Sequence, residues 1–135
     1  MLLDTTYLVD LLRKDDAAIS WLTSSEEQAL YTSEINVFEL YTGLYRISKN
    51  TSKSKMKKRA EELEQVLTRM EVLPFEREAS IESAKLLADM MNKGEPVGAR
   101  DVMIAGTTLA NGIHRLLTRN TKHFQQISGL IIESY

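Results

Sequence analysis

The sequence predicts an α/β protein whose parallel sheet carries helices on both faces. Short apolar segments alternate along the chain with longer segments in which apolar residues recur at helical spacing. The chain opens with an apolar run, Met1–Leu3, that ends at Asp4, and a helical pattern at Tyr7, Leu8 and Leu11 follows directly. Strands that alternate with helices are typical of parallel sheets, because a crossover connection is needed between parallel strands.

The first half of the chain contains three predicted helices and a second strand. The helices lie over 5–13, 15–24 and 34–47, and the strand lies over 29–32. Ser33 is a good N-cap for the third helix, and Glu34 in its first turn suits the positive end of the helix dipole. Residues 48–54 are polar and predict an exposed loop.

The second half contains four predicted helices and three strands. The helices lie over 56–70, 77–93, 99–111 and 121–127, and the strands over 71–73, 115–118 and 130–133. Gly94 and Gly112 are suitable helix stops. The helix over 77–93 has two apolar rows, so we expect it to be buried on two sides or to meet a second copy of the chain.

The composition is that of an ordinary globular chain, and its 135 residues predict a single domain over 1–135. The apolar stretches are far shorter than the roughly 20 residues needed to cross a bilayer. The N-terminus also lacks the residue order of a signal peptide, so we expect a cytoplasmic protein with no membrane contact. The absence of cysteine excludes disulfides and thiolate metal sites.

The net charge of −2 argues against a generally basic nucleic-acid-binding protein. Seven basic residues and no acid nevertheless lie between Arg46 and Arg59, which leaves the rest of the chain acidic. This basic segment is a candidate for holding phosphate groups, as are Arg100, Arg119 and Lys122. The alternative for each is a solvated surface charge, which we favour for most lysines of the segment.

Three acidic residues are candidates for one site. Asp4 ends the first strand, and its alternative role is the N-cap of the following helix. Glu39 borders the buried face of its helix, and its alternative is a buried stem with the carboxylate in water. Asp101 lies in the first turn of a helix of small residues, where interaction with the helix dipole is the alternative.

These acids form one site if Glu39 and Asp101 meet Asp4 at its edge of the sheet, and the sequence alone does not show that they do. Thr118 and Asn120 follow the fourth predicted strand at the same edge as Asp4, although a simple turn is their alternative. Converging carboxylates repel one another unless they are protonated or neutralised, and Mg²⁺ or Mn²⁺ suits oxygen ligands. Such a centre activates water for hydrolysis of a phosphodiester.

From Leu2 to Glu133 the chain resembles the PIN-domain family, and more closely the VapC-type toxin ribonucleases. The order and spacing of several segments carry this resemblance. These segments are Leu3–Thr5, Thr32–Ile35, Glu39–Leu44, Gly98–Ala105 and Leu117–Phe124.

The resemblance implies a three-layer α/β/α sandwich with a central, mainly parallel sheet, and a Mg²⁺- or Mn²⁺-dependent endoribonuclease. It maps metal binding onto Asp4, Glu39 and Asp101, and it places Thr118 and Asn120 at positions that complete the pocket. Many relatives carry Asp where this chain has Asn120, and a neutral amide attracts a second metal less strongly. The resemblance also implies an RNA substrate, a homodimer and an antitoxin partner that blocks the pocket.

The leading hypothesis is therefore the ribonuclease toxin of a toxin–antitoxin pair, with a metal-activated water as the nucleophile. The alternative is a weak or inactive PIN scaffold that binds RNA or a partner protein, and Asn120 is its best support. A phosphatase of the haloacid dehalogenase kind is disfavoured, because Thr6 stands where those enzymes need a second Asp.

Histidines and aromatic residues add little to this prediction. The spacing of His114 and His123 matches no zinc motif, and His123 could orient a water or contact RNA, although we favour a surface position. Tyr7 and Phe124 could stack on bases, but we expect both in the core.

Overall fold

The computed structural model describes residues 1–25 and 28–135. Five short strands form one parallel sheet with the order β3-β2-β1-β4-β5, which confirms the predicted fold class. The strands are β1 (Leu2–Leu3), β2 (Tyr31–Ser33), β3 (Glu71–Leu73), β4 (Arg115–Leu117) and β5 (Ile131–Glu133).

Helices connect the strands throughout the described residues. They are α1 (Thr5–Leu12), α2 (Asp16–Ser24), α3 (Glu34–Arg46), α4 (Lys53–Leu67), α5 (Arg77–Asn92), α6 (Ala99–Ala110) and α7 (Thr121–Phe124). Each of them is too short or too polar to cross a membrane.

The predicted elements are present, but several of their ends differ from the prediction. The expected loop over 48–54 contains a single 3₁₀ turn at Ser48–Asn50, and α4 begins at Lys53. This earlier start has a cap, because the Ser52 hydroxyl accepts a hydrogen bond from the Lys55 N–H at 3.3 Å. The apolar row of this helix begins only at its fourth residue, Met56. The cap therefore marks the true start of the helix, whereas the apolar row marks where its buried face begins.

β1 is the central strand, although it contains only two residues. Leu2 lies opposite Tyr31 of β2 and Leu116 of β4, and Leu3 lies opposite Leu117. The chain builds β2 and β3 on one side of β1 and then returns to build β4 and β5 on the other side. Asp4 therefore lies at the carboxyl end of the strand where the order reverses, which is where open parallel sheets form their clefts.

Two apolar cores enclose the sheet, one on each face. Leu3 packs with residues of α1, α2, α3 and α4, whereas Leu2 packs with residues of α6 and α7. Both leucines are fully buried, because consecutive side chains of a strand point to opposite faces. This arrangement is the expected three-layer sandwich, and it fixes the chain on both sides of Asp4.

α5 packs against α6 along one of its two predicted apolar rows. Ala79 and Met90 are buried, whereas Ile81 and Met91 of the other row are exposed. The prediction that α5 is buried on two sides is thus wrong for the single chain. The helices approach closely at Gly106, where an added Cβ would lie 2.6 Å from the backbone nitrogen of Ser83.

This approach predicts opposite outcomes for two helical glycines. We expect Gly106→Ala to lower the free energy of unfolding by roughly 1–3 kcal/mol, because the new methyl group meets backbone atoms of α5. Gly43→Ala is the control, since its Cβ would meet nothing within 4 Å and alanine favours the helix by up to about 1 kcal/mol. Urea unfolding measures both. Equal effects of the two substitutions would contradict this packing.

Candidate active site

Asp4 is the most buried acid of the predicted set, since only 4% of the residue is exposed. Asp4 occupies the N-cap position of α1, but its side chain makes no cap hydrogen bond. It instead accepts hydrogen bonds from the hydroxyl of Thr118 at 2.7 Å and that of Thr6 at 3.0 Å. The amide of Asn36 donates a third at 3.3 Å. The structure therefore does not support the alternative role as a cap.

Asn36 connects the start of α3 to the site and was not identified from the sequence. Its side-chain oxygen accepts a hydrogen bond from the N–H of Ser33, and the Ser33 hydroxyl accepts one from the Asn36 N–H, which forms a capping box. Its amide nitrogen then donates to Asp4 and, at 3.0 Å, to the hydroxyl of Thr5. The position three residues after Ser33 was the available signal, because a capping box needs a polar residue there.

Glu39 lies one turn further along α3 and faces the same cleft. Its Oε2 accepts a hydrogen bond from the Thr5 hydroxyl at 2.5 Å, and its Oε1 lies 3.3 Å from Nε of Arg100. The side chain is 18% exposed, so the carboxylate is not directed into bulk water as the alternative required. Arg100 is correspondingly engaged within the cleft in this conformation.

Asp101 lies in the first turn of α6, as predicted, and its carboxylate is placed by His123 and by the space that Gly98 leaves. Its Oδ2 lies 3.2 Å from Nδ1 of His123. A Cβ at position 98 would approach the same oxygen to 3.1 Å, so Gly98 leaves room for the carboxylate. His123 is 58% exposed, which confirms the expected surface position, and it also lines the cleft.

Four of the five predicted site residues line one cleft of about 470 Å³. They are Asp4, Glu39, Asp101 and Asn120. The fifth, Thr118, is buried beneath the cleft, and its hydroxyl accepts a hydrogen bond from the N–H of Asn120 at 3.0 Å. The remaining lining residues are Thr5, Thr6, Gly98, Ala99, Arg100 and His123.

The acids of the cleft share one electrostatic environment. Burial raises the pKa of Glu39, and the negative charges of Asp4 and Asp101 add to this, whereas Thr5 and Arg100 oppose it. Burial also raises the pKa of Asp101, again with a contribution from Asp4 and with opposition from His123 and Arg100. Asp4 thus acts on both other carboxylates, as expected for like charges in one partly dry cleft.

The donor set suits a hard divalent cation in its chemistry, since carboxylate, amide and hydroxyl oxygens converge on the cleft. Within residues 1–25 and 28–135, however, no group of three or more histidine or acidic side chains is arranged to hold a metal ion. Glu39 contacts Thr5 and Arg100, and Asp101 contacts His123. Asp4 accepts its three hydrogen bonds as well, so a cation in this cleft must compete with protein groups for all three carboxylates.

Other sequence candidates lie outside the cleft. All seven basic residues between Arg46 and Arg59 are exposed, and none of them lines it. Arg119 forms an ion pair with Asp10 at 2.6 Å. Tyr7 and Phe124 are fully buried, which confirms their predicted place in the core.

The sheet order and the acidic cleft at its edge define an α/β protein with a nuclease-like acidic site, and comparison with known proteins identifies the class. Residues 1–130 match the family model described as PIN domain. The chain therefore belongs to the PIN-domain family. Its relatives include VapC ribonuclease Y4jK of Sinorhizobium fredii, which is 32% identical over 129 residues and spans 93% of this chain and 90% of that protein.

Further relatives and solved structures match nearly the whole chain. The tRNA(fMet)-specific endonuclease VapC of Shigella flexneri is 26% identical over 99% of this chain and 96% of its own length. A chain of FitAcB from Neisseria gonorrhoeae superposes with a TM-score of 0.84 at 26% identity, covering 98% of this chain and 96% of that chain. VapBC2 from Rickettsia felis, bound to a DNA fragment from its promoter, gives a TM-score of 0.83 at 27% identity, covering 99% and 97%.

We expect the hydrogen bond from Thr118 to Asp4 to contribute measurably to the free energy of unfolding. We expect Thr118→Val to lower the free energy of unfolding by about 1–3 kcal/mol, because it removes a buried donor to a buried carboxylate. Thr23→Val is the control, since its hydroxyl bonds a carbonyl on an exposed helix face and its loss costs under about 0.5 kcal/mol. Urea unfolding at neutral pH compares them, and equal losses would exclude a special role for Thr118.

Proposed function

We propose that this chain is a divalent-metal-dependent endoribonuclease that acts as the toxin of a toxin–antitoxin pair. One observation carries the proposal: carboxylates from the end of β1, from α3 and from the start of α6 line a single cleft. Relatives that span nearly the whole chain are described as ribonucleases and as endonucleases specific for a tRNA. PIN-domain nucleases of the VapC type generally depend on a divalent metal, which agrees with the donor chemistry of this cleft.

In this proposal Asp4, Glu39 and Asp101 hold Mg²⁺ or Mn²⁺. Bound there, the cation lowers the pKa of a water molecule and offsets the negative charge that develops on the phosphate. The nucleophile is that water, so no side chain needs to form a covalent intermediate. Asn120 supports the cation or the attacking water from the wall of the cleft, and the buried Thr118 acts through its hydrogen bond to Asp4.

The surrounding polar residues orient the carboxylates. Three donors hold Asp4 in a single direction, which fixes its oxygens before any ligand arrives. Thr5 supports Glu39 and is itself held by Asn36, so α1 and α3 are joined at the cleft. Such preorganisation matters because a displacement of about 1 Å in a reacting group costs large factors in rate.

The proposed partners are an RNA substrate, a cognate antitoxin protein and a second copy of the chain in the cytoplasm. The superposing structures include VapBC2 of Rickettsia felis bound to promoter DNA, and a relative from Neisseria gonorrhoeae is described as Toxin FitB. The exposed apolar row of α5, which includes Ile81 and Met91, supports the homodimer, because large apolar side chains gathered on one face favour a protein contact. The single-domain organisation over 1–135 belongs to the same proposal.

The catalytic proposal predicts that cleavage requires the metal and the acids. We expect the chain to cut RNA in Mn²⁺ and to stop in EDTA, and Asp4→Asn and Asp101→Asn to lose about a hundredfold or more in rate. Asp16→Asn, an exposed acid at the start of α2, is the control and should keep full activity. A labelled RNA cleavage assay makes these measurements.

Cleavage that survives EDTA or either substitution would contradict this mechanism. The inactive scaffold, which Asn120 favours, predicts instead that the wild-type chain cuts no RNA and has no saturable Mn²⁺ site that depends on Asp101. Calorimetric titration with Mn²⁺ beside the cleavage assay therefore separates the two functions.

The contact between Arg100 and Glu39 predicts competition with the metal. We expect Arg100→Ala to tighten Mn²⁺ binding by about twofold to tenfold, because a half-exposed ion pair competes only modestly. Arg115→Ala is the matched control: it removes the same charge from an arginine that also pairs with a carboxylate, Glu133, but stands at the amino end of β4 and does not line the cleft. Calorimetry measures both affinities, and an equal change in the two variants would exclude direct competition.

A further inference from the structure

A buried carboxylate that the proposed chemistry does not use lies on α1, one turn beyond Thr6 and outside the lining of the cleft. Asp10 is 4% exposed, and its Oδ2 accepts a hydrogen bond from the Tyr135 hydroxyl at 2.6 Å. The same oxygen lies 2.6 Å from Nη1 of Arg119. A buried carboxylate without such partners is costly, so these two contacts fix the side chain of Asp10 in one place.

Arg119 is held to α1 at two points. Its backbone N–H donates to the hydroxyl of Thr6 at 3.0 Å, and its guanidinium contacts Asp10. Thr6 and Asp10 are four residues apart and therefore share one side of the helix. The turn that carries Arg119 is thus attached to α1 by both its backbone and its side chain, directly beside Asn120 of the cleft.

The guanidinium of Arg119 is oriented but accessible. One of its nitrogens contacts Asp10, while the side chain as a whole is 58% exposed. A guanidinium presents several donors in a planar fork that matches a phosphate, and an arginine that is already oriented loses little further freedom when it binds. Arg100, by comparison, is engaged with Glu39 inside the cleft, and the basic segment from Arg46 to Arg59 lies outside it.

We propose that Arg119 binds a backbone phosphate of the RNA beside the cleft, and that Asp10, held by Tyr135, is the positioning residue that orients it. This inference rests on the proposed ribonuclease function for its ligand. It assigns the ion pair between Arg119 and the buried Asp10 a role in substrate binding beyond the stability of the fold.

The test measures binding and not cleavage. A fluorescent single-stranded RNA is titrated with each variant in EDTA, and fluorescence anisotropy gives the dissociation constant at several salt concentrations. We expect Arg119→Ala to weaken binding about tenfold and to reduce the salt dependence by the contribution of about one phosphate contact. Arg115→Ala removes the same charge at the other end of β4 and should change the affinity less than about twofold.

Asp10→Asn gives the sharper result, because the loss of a negative charge and the loss of the positioning contact change the RNA affinity in opposite directions. Removal of an acid should favour RNA by simple electrostatics, whereas loss of the positioning contact should weaken binding by about threefold to tenfold. Asp16→Asn, on the exposed start of α2, reports the effect of charge alone. Tyr135→Phe retains the carboxylate, removes one of its donors, and serves where Asp10→Asn does not fold; it should also weaken binding.

Equal affinities of the Arg119 and Arg115 variants would overturn the phosphate contact. Affinity in Asp10→Asn as tight as in Asp16→Asn, or an unchanged affinity in Tyr135→Phe, would overturn the positioning role. Thermal unfolding of each variant establishes that binding is measured on folded protein. Wild-type cleavage of RNA in Mn²⁺ is assayed separately, so failure of this inference and failure of the ribonuclease proposal are distinguishable.

Discussion

The structure depends on how the carboxylate of Asp4 is kept out of water. A buried carboxylate needs several hydrogen bonds to offset its lost hydration, and here the donors are Thr118, Thr6 and Asn36. These donors come from the end of β4, from α1 and from the start of α3, so one side chain holds three separate segments in register. The hydrogen bonds that these donors make to Asp4 stabilise the fold. The same bonds also set the direction of the Asp4 carboxylate, which is the proposed metal ligand.

The sheet makes this arrangement attainable with very little regular structure. β1 contributes two residues, but both are fully buried and it pairs with a neighbour on each side. The reversal of strand order at β1 leaves an opening beyond its carboxyl end, and the helices that follow β1 and β2 begin there. Asp4, Glu39 and Asp101 are far apart in the sequence but meet here, because the segments that carry them all reach this edge of the sheet.

The same reasoning explains what the sequence could predict. Alternating strands and helices predict the fold class. Asp4 is a candidate because it ends the first strand, Glu39 because it borders the buried face of its helix, and Asp101 because it lies in the first turn of its helix. Contacts between distant side chains were not predictable, since they depend on strand register and on the rotamer of each partner. The hydrogen bond from Asn36 to the distant Asp4 and the ion pair of Asp10 with Arg119 are contacts of this kind. The two alternatives for α5 have a related origin, because an apolar row does not identify whether the same chain or a second copy covers it.

An acidic cleft that acts on RNA must also overcome its own repulsion of phosphate. The cation nearest the acids does not lie in the long basic segment but is a single residue fixed by the fold, Arg100 against Glu39. Arg119 adds a second beside the cleft, tied to the buried Asp10 one turn along α1. Arg100 reduces the repulsion between the carboxylates of the cleft when no ligand is bound. A phosphate that enters the cleft then meets cations that are already positioned, so a chain of net negative charge can still bind a polyanion at one place.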